Sequence, residues 1–407
     1  MSLCFFYDII ILVMCMKMGN KKFNIKLLIL YILICILCFF YINYSVKNEE
    51  LDNKDNFKNE SITDTITILA TGDIMFHMIE YINNYSKETG KYSFDTFYEK
   101  MKPYFDEADI VAGNYETTSN PQKSYSGFPC FNTPPESIEY LKNVGFDVLS
   151  TANNHCIDTG VEGIISTIDI MDKNNIKHFG TYKQKQDRGI IIEVNNIKVG
   201  FLGYSEIFNG MDFQIPEDKK YMISYFNVEQ INHDVKTLKD NGADIIICYA
   251  HWGKEYSKYP DDFQKFMNHV LLNSGIDIVL GSHPHTLQRS EISGNDVNKK
   301  FTIYSMGNSI SNQRRELIKK DGTESGVFVK LKITKIRGSN RAYLDRVDLI
   351  PTYVNRYREN GKYMYEVMAY QDIIEGGKYR SNFDEKTKNK IDEYYKNALD
   401  ILYSVGE

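Results

Sequence analysis

The sequence predicts a layered α/β fold with one mixed β-sheet or two sheets. From residue 66 onward, short β-branched runs alternate with segments of helical periodicity. Asn195-Asn196 is a two-residue hairpin turn between two of these runs. Short polar motifs follow several of the apolar runs, and ligands of α/β folds bind beyond the strand ends. We therefore expect the functional site at one edge of a sheet.

Each predicted strand is a short run rich in β-branched residues, and each predicted helix has apolar residues at helical spacing. The predicted strands cover residues 66–71, 110–112, 147–150, 190–194, 198–204, 244–250, 276–280, 301–305 and 327–333. The predicted helices cover residues 94–105, 135–144, 161–174, 228–241 and 261–274. The Tyr-rich run 353–370 is expected to be solvated, with edge strands or a partner surface as alternatives.

The composition is that of a globular protein. The chain has 407 residues, 43% hydrophobic content and a net charge of −6. Outside the N-terminal region there is no long run of Lys and Arg, so nucleic acid is not expected as a partner. Cys130, Cys156 and Cys248 lie outside the apolar N-terminus and are too scattered for a disulfide framework.

The N-terminal region predicts a membrane anchor. Residues 27–42 are almost entirely apolar, and lysines precede them at positions 17, 21, 22 and 26. A spanning helix needs about 20 apolar residues, and a basic flank stays in the cytoplasm. We predict a single-pass signal anchor at residues 26–43 in the cell membrane, with the rest of the chain outside. A cleaved secretory signal is the alternative.

The same pattern divides the chain into segments. Translation is suspected to begin at Met16 or Met18, directly before the lysines, so that residues 1–17 are possibly a mis-assigned start. The predicted segments are a cytoplasmic N-terminus at 1–25, the anchor at 26–43, a polar linker at 44–64, the α/β domain at 65–353 and a C-terminal extension at 354–407 that ends in a helix.

Two carboxylates follow predicted strands. Asp73 comes after residues 66–71 and a glycine, which leaves room for close approach, although a turn aspartate that caps a helix is equally expected. Glu116 follows Gly113-Asn114-Tyr115, and taken alone it is interpreted as a surface residue. Together with the histidines below, both carboxylates suit a site for divalent metals.

Asn153-Asn154-His155 follows the predicted strand 147–150. An ordinary turn uses Asn but has no need for His, so a functional role is favoured. Asp158 lies in the next turn, where it can orient the imidazole of His155.

Three further histidines follow strand ends. His251 follows the predicted strand 244–250, and a buried core histidine is its alternative interpretation. In His283-Pro284-His285, residues two apart in an extended segment project to one side, and Pro284 is expected to keep His283 extended. Paired metal ligands explain this motif better than packing does.

In this order, the motifs resemble the CapA family. That family is associated with bacterial capsule synthesis, in particular with poly-γ-glutamate, and often carries an N-terminal membrane anchor. The resemblance covers residues 66–308 and runs on to Pro351. The motifs that carry it are Gly72-Asp73-Ile74-Met75, Gly113-Asn114-Tyr115-Glu116-Thr117-Thr118, Asn153-Asn154-His155-Cys156-Ile157-Asp158-Thr159-Gly160, His251-Trp252-Gly253-Lys254-Glu255, Gly281-Ser282-His283-Pro284-His285 and Tyr304-Ser305-Met306-Gly307-Asn308.

The CapA family is in turn similar to calcineurin-type metallophosphoesterases, which implies a four-layer α/β/β/α sandwich and two divalent metal ions, with Mn, Zn or Fe as candidates. The likeness implies that His155, held by Asp158, steadies the transition state or protonates the leaving oxygen. The implied metal ligands are Asp73, Glu116 as a bridging carboxylate, Asn154, His251, His283 and His285. The residues implied to bind substrate or to support the ligands are Asn114, Lys254, Glu255 and Asn308.

Two positions depart from the usual pattern of that superfamily. The opening D-x-H motif is Asp73-Ile74-Met75, so one histidine ligand is missing. Asn114 and Glu116 stand in place of the usual aspartate pair. A one-metal site, a site with altered chemistry and an inactive site on a retained fold therefore stay open.

Two functions follow as hypotheses. The first is an anchored factor for poly-γ-glutamate assembly or export, with capsule synthesis subunits and the anionic polymer as partners. The second is a cell-surface metal-dependent hydrolase of phosphoesters or γ-linked peptides. Because the chain is acidic and shows no basic stripe beyond the anchor, only a local basic cluster or the metals could attract an anionic polymer.

Overall fold

Two β-sheets face each other in the computed structural model, which describes residues 63–296 and 298–404. Each of the nine predicted strands overlaps an observed one. The strands, in chain order, are β1 Thr63–Ile74, β2 Tyr85–Ser86, β3 Lys91–Tyr92, β4 Ile110–Tyr115, β5 Val148–Ser150, β6 Lys177–Phe179, β7 Ile190–Val194, β8 Ile197–Ser205, β9 Ile245–His251, β10 Ile278–Ser282, β11 Ser290–Ser293, β12 Lys300–Ile303, β13 Asn308–Ile310, β14 Ser325–Ile336, β15 Ala342–Glu359 and β16 Lys362–Ala369.

Helices follow many of the strands, and four of the five predicted helices agree with the structure to within one residue. The α-helices are α1 Met78–Tyr81, α2 Lys102–Phe105, α3 Glu136–Val144, α4 Gly160–Lys173, α5 Val228–Asp240, α6 Asp262–Ser274, α7 Arg315–Ile318 and α8 Glu385–Leu402. The short 3₁₀-helices are Ile82–Asn84, Glu99–Met101, Met211–Gln214, Glu217–Met222, Tyr370–Asp372 and Arg380–Asn382.

The first sheet has the strand order β16-β15-β14-β1-β4-β5-β6, with β13 also paired to β1. The second sheet has the order β11-β12-β10-β9-β8-β7. Strands β1, β4, β5 and β6 run parallel, as do β8, β9, β10 and β12. The carboxyl ends of the parallel strands in each sheet therefore lie at one edge, where the predicted motifs occur.

Side-chain alternation along the strands builds three stacked apolar layers. In β9, Ile247 and Tyr249 pack between the two sheets, whereas Ile246 and Cys248 pack with the apolar faces of α5 and α6. In β1, Ile68 packs between the sheets and Leu69 packs in the cluster that contains the α3 side chains. Full burial of each such Ile or Leu contributes about 1.5–3 kcal/mol. The layer order is therefore helix, sheet, sheet, helix.

The predicted helix at residues 94–105 is confirmed only for residues 99–105. Only the 3₁₀-helix Glu99–Met101 and α2 form there, and Phe94 and Phe97 instead pack against Phe76, with ring centroids 5.0 and 5.4 Å from it. Aromatic packing in the core between the first sheet and its helices thus overrides the local helical spacing.

The expectation of solvated structure at residues 353–370 is wrong, and its alternative of edge strands is the one that the structure shows. β15 and β16 extend the first sheet, with β16 at its edge, and Tyr353, Tyr365 and Tyr370 are buried. The expected boundary between residues 353 and 354 lies within β15, and Thr63 onward forms one compact unit.

The predictions for residues 1–25 and 26–43, and most of the linker at 44–64, lie outside the described residues. Within residues 63–296 and 298–404, no helix combines the length and the apolar character needed to cross a membrane.

Candidate metal centre

The predicted carboxylate, amide and imidazole groups meet at the shared edge of the two sheets. Cα register places Asp73 of β1 beside Asn114 of β4 and beside Asn308 of β13. In the second sheet His251 of β9 lies beside Ser282 of β10. The predicted ligand side chains are all buried, namely Asp73, Glu116, Asn154, His251, His283 and His285.

Asp73 is held by hydrogen bonds from both sheets. Its Oδ1 accepts from Asn114 Nδ2 at 2.8 Å, and its Oδ2 accepts from the backbone N of His283 at 3.1 Å. The preceding residue must be small, because a Cβ on Gly72 would lie 2.1 Å from the carbonyl oxygen of Gly307. Asn114 in turn accepts through Oδ1 from Asn153 Nδ2 at 3.2 Å. Asn114 therefore supports Asp73 by a direct contact.

Glu116 is buried, and within the described residues neither of its carboxylate oxygens has a hydrogen-bond partner. Its Oε1 lies 3.7 Å from His251 Nε2 and 3.8 Å from His285 Nε2. Two groups of side chains bring their ligand atoms within 4.8 Å of one another, and Glu116 belongs to both. These groups are Asp73, Glu116 and His251, and Glu116, His283 and His285.

The histidines are oriented by polar neighbours. His251 Nδ1 lies 3.1 Å from Ser282 Oγ, and its Nε2 lies 2.9 Å from Asn154 Oδ1. His285 Nδ1 lies 3.1 Å from Asn308 Oδ1 and 3.2 Å from Asp73 Oδ2, so Asn308 is a supporting residue of the site and His285 also contacts Asp73. Because Nδ1 is engaged in this way, Nε2 is the nitrogen of His285 that faces Glu116.

The expectation that His283 lies in an extended segment is wrong. His283 has φ 94° and His285 has φ 57°, so the chain turns through the left-handed region at both residues. The two imidazoles nevertheless converge, with ring centroids 5.8 Å apart. The hydrogen bond from the backbone N of His283 to Asp73 holds this turn in place. Positive φ values at non-glycine residues are a form of backbone strain that is common at functional sites.

Burial and neighbouring charge shift the pKa values of the ligand groups. Burial raises the pKa of Glu116 well above its ordinary value, and the charge of Asp73 raises it further. Burial also opposes ionisation of Asp73, but the hydrogen bond and charge of His285 keep the pKa of Asp73 below its ordinary value. Burial and the charge of His285 lower the pKa of His283 to about 3.

Burial, followed by the charge of His283, holds the pKa of His251 well below its ordinary value. His251 and His283 are consequently neutral imidazoles, which is the form that binds metal ions.

His155 and Asp158 form the predicted pair. His155 Nδ1 lies 2.6 Å from Asp158 Oδ2, and both side chains are almost fully buried. The ring of Phe131 packs edge-on against His155 at 4.7 Å. Because a carboxylate accepts hydrogen bonds, this contact places the proton on Nδ1 and leaves Nε2 as the unprotonated ring nitrogen of a neutral His155.

Sequence reasoning missed two supporting residues. Asn154 Nδ2 donates to Asn209 Oδ1 at 3.2 Å, which turns Oδ1 of Asn154 toward His251. Asn209 and Gly210 both have positive φ, so this Asn-Gly pair signals a turn and gives no sign of its contact with Asn154. Ser282, the second supporting residue, contacts His251 and lies directly before His283 in the chain. Its hydroxyl group is not typical of a metal ligand, so no signal in the sequence selects it.

Lys254 and Glu255 are not part of the buried cluster. Both side chains are exposed on the loop that follows β9. Within the described part of the chain, no hydrogen bond joins Glu255 to His251, so the predicted support of His251 by Glu255 is absent. Glu255 still lies close enough for its charge to contribute to the raised pKa of Glu116.

The residues fit a divalent metal ion. The cluster supplies two carboxylates, one amide oxygen and three imidazoles, which is the ligand chemistry of hard and borderline divalent cations. Both oxygens of Glu116 and Nδ1 of His283 are buried without a hydrogen-bond partner among the described residues. Such groups are costly to bury unpaired, and a bound cation would satisfy them.

Fold and site together define a class of protein: a two-sheet α/β/β/α sandwich with a buried carboxylate, amide and imidazole cluster suited to metal ions at the strand ends. Within that class, the chain belongs to the bacterial capsule synthesis protein family PGA_cap, whose model matches residues 67–313. The predicted family resemblance is confirmed.

Two relatives are capsule proteins of bacilli. The chain is 30% identical over 264 residues to the PGA biosynthesis protein CapA of Bacillus subtilis strain 168, and 28% identical over 260 residues to the capsule biosynthesis protein CapA of Bacillus anthracis. Each alignment covers 61% of this chain, and they span 64% and 60% of the relatives' own lengths. The solved structure of the calcineurin-like phosphoesterase YfkN from Bacillus subtilis aligns with a TM-score of 0.42 and 16% identity, covering 83% of this chain and 99% of that one.

Proposed function

We propose that this protein acts in the biosynthesis or export of capsular poly-γ-glutamate, as a membrane-anchored extracytoplasmic protein whose buried centre binds two divalent metal ions. Membership of the capsule synthesis family supports the process. The Bacillus subtilis relative is a PGA biosynthesis protein, which supports PGA as the polymer. The apolar segment at residues 26–43, preceded by lysines, supports the anchor.

The observation that carries the metal proposal is the position of Glu116. It is the one member common to both ligand groups, and both of its buried oxygens lack partners among the described residues. A carboxylate with this environment suits a bridge between two cations. The four-layer arrangement and the ligand set also support a relation to calcineurin-type metallophosphoesterases, although Met75 replaces one of their histidine ligands.

A second candidate function is a cell-surface metal-dependent hydrolase of phosphoesters or γ-linked peptides. Divalent ions in such a centre polarise a phosphoryl or acyl oxygen and neutralise developing negative charge. The hydrogen-bonded pair of His155 and Asp158 favours this function, because Nε2 of His155 is available to protonate a leaving oxygen. Asn154, next to His155 in the chain, ties this pair to the metal cluster.

Metal analysis of the full-length chain tests the proposal. We expect about two divalent ions per chain by elemental mass spectrometry, because two ligand groups share Glu116. The double variant His283→Ala/His285→Ala should lose them, whereas His269→Ala, an exposed histidine on α6, should retain them. Wild-type protein without bound metal would contradict the dinuclear centre.

The same preparations separate the two functions. In a hydrolase, His155→Ala should keep its metal but lose hydrolysis of a model phosphodiester or γ-glutamyl peptide by about 10²–10⁴-fold, because general acid catalysis is removed. A factor without hydrolytic chemistry should show no such activity in either form and should support capsule formation equally well with His155→Ala.

A further inference from the structure

We propose that a cationic rim beside the metal centre binds the carboxylate groups of an anionic polymer. The rim consists of Lys254, Lys258, Arg315, Lys319 and Lys320, whose side chains are all exposed. They come from two loop regions that are about sixty residues apart in sequence, one after β9 and one after β13, and the second region contains the short helix α7. The identity of the polymer as poly-γ-glutamate rests on the proposed function, whereas the surface itself does not.

Tyr256 connects the rim to the centre. Its ring centroid lies 6.2 Å from that of His285, and its backbone N donates to the carbonyl oxygen of Pro284 at 2.7 Å. The Nζ of Lys320 lies over the same ring, 5.7 Å from its centroid. Burial and the charges of Glu255 and Glu116 raise the pKa of Tyr256 to about 12. The phenol therefore lies between the exposed cation of Lys320 and the buried ligands.

A small cavity joins the two loops. Lys258 of the first loop and Arg315 of the second line it together with Thr286, and its volume is about 110 Å³. Thr286 directly follows His285 in the chain, and its Oγ1 donates to the backbone oxygen of Ser257 at 3.0 Å. The rim is thus attached to the chain segment that carries two of the histidines.

Most cations of the rim are not neutralised by a carboxylate. Within the described residues Lys254, Lys258 and Lys320 form no ion pair, and Lys319 donates to the backbone oxygen of Glu316. Arg315 pairs with Asp321 at 2.8 Å. Unpaired cations beside a cleft raise the local concentration of anions even on an acidic protein.

A polycarboxylate is the partner that this arrangement fits. Each exposed ion pair is weak, so a single carboxylate gains little from the rim. A polymer with one carboxylate per repeat contacts several cations at once, which adds their contributions. The chain has a net charge of −6, so binding must depend on this local surface and must weaken with salt.

Binding of fluorescent poly-γ-glutamate to the full-length protein tests the rim. The variant Lys254→Gln/Lys258→Gln/Lys320→Gln should bind about tenfold more weakly than wild type at low salt. The control Lys87→Gln/Lys173→Gln/Lys185→Gln removes three exposed lysines elsewhere that also form no ion pair among the described residues, and it should bind like wild type. The difference between the two variants should shrink at about 1 M salt, where screening reduces the Debye length to about 3 Å.

Metal content measured on the same samples keeps this inference separate from the proposed function. Equal weakening of polymer binding in both triple variants would contradict the proposed role of the rim. The absence of polymer binding by wild-type protein would also contradict it. If wild type holds metal but binds no polymer, the rim fails and the metal centre stands. If wild type lacks metal but its binding depends on the rim lysines, the metal centre fails and the rim stands.

Discussion

The two sheets make unequal contributions to the candidate metal centre. The first sheet supplies the oxygen side, with Asp73 and Glu116, and the second supplies the nitrogen side, with His251 and the two histidines after β10. Asp73 has internal hydrogen-bond partners, whereas Glu116 has none among the described residues. The comparison indicates that neither sheet forms the candidate site alone and that Glu116, which belongs to both ligand groups, is the carboxylate without a partner among the described residues.

The largest effect is expected from Glu116→Gln, which removes the carboxylate common to both ligand groups. We expect both metal ions to be lost and the metal-induced rise in Tm to disappear. For wild type that rise corresponds to about 2.7 kcal/mol for each bound ion when the free metal concentration is 100 times Kd. Because Glu116 makes no hydrogen bond in the described structure, the metal-free Tm should change little. Elemental analysis and thermal unfolding with and without metal measure both.

Glu80→Gln is the matched control, since Glu80 is also fully buried but contacts His77 outside the centre. It should retain the metal. If Glu116→Gln bound two ions as tightly as wild type, Glu116 would not be a ligand shared by the two metal sites.

An intermediate effect on metal affinity is expected from pH. It distinguishes the carboxylates of the first sheet from the histidines of the second. The raised pKa of Glu116 means that metal must displace a proton there, whereas the lowered pKa values of His251 and His283 leave these imidazoles already neutral. Metal affinity should therefore rise with pH, by up to about tenfold per pH unit, until Glu116 is ionised without metal.

Calorimetric titrations in buffers of different ionisation enthalpy measure the proton released on binding. We expect about one proton per centre below the pKa of Glu116, and none at higher pH. An affinity that tracked an ordinary histidine titration near pH 6.5 would show instead that the nitrogen side controls binding.

The smallest effect on metal binding is expected at Asn209, which contacts Nδ2 of Asn154 and not the Oδ1 atom that faces His251. Asn209→Gly removes the acceptor for Asn154 Nδ2 but tolerates the positive φ at this position, so the backbone turn should persist. Loss of this one hydrogen bond should weaken metal binding by about threefold to tenfold.

Asn209→Asp is the paired variant for this experiment, because its carboxylate can still accept the hydrogen bond. It should bind metal nearly as well as wild type in the same titration. Equal weakening in Asn209→Gly and Asn209→Asp would mean that the turn, and not the orientation of Asn154, matters.

Much of the fold follows from local pattern. The β-branched runs predicted all nine strands that were named, and the helical spacing predicted α3, α4, α5 and α6 to within a residue. For the Tyr-rich segment of β15 and β16, the sequence favoured solvated structure over the edge strands that form, because Tyr-rich segments without clean alternation become strands only when a neighbouring sheet covers them. The helix prediction failed at residues 94–97 for a related reason: the aromatic partners of this segment, such as Phe76, lie elsewhere in the chain.

The sequence by itself determined which residues could ligate a metal, since carboxylate, amide and imidazole groups after apolar runs are a local signal. Only the tertiary structure decided how they are used. The pairing of Asn154 with Asn209, the lack of partners at Glu116 and the meeting of two lysine-bearing loops beside His285 depend on contacts between distant segments. Such contacts arise from strand register and sheet packing, which local periodicity does not encode.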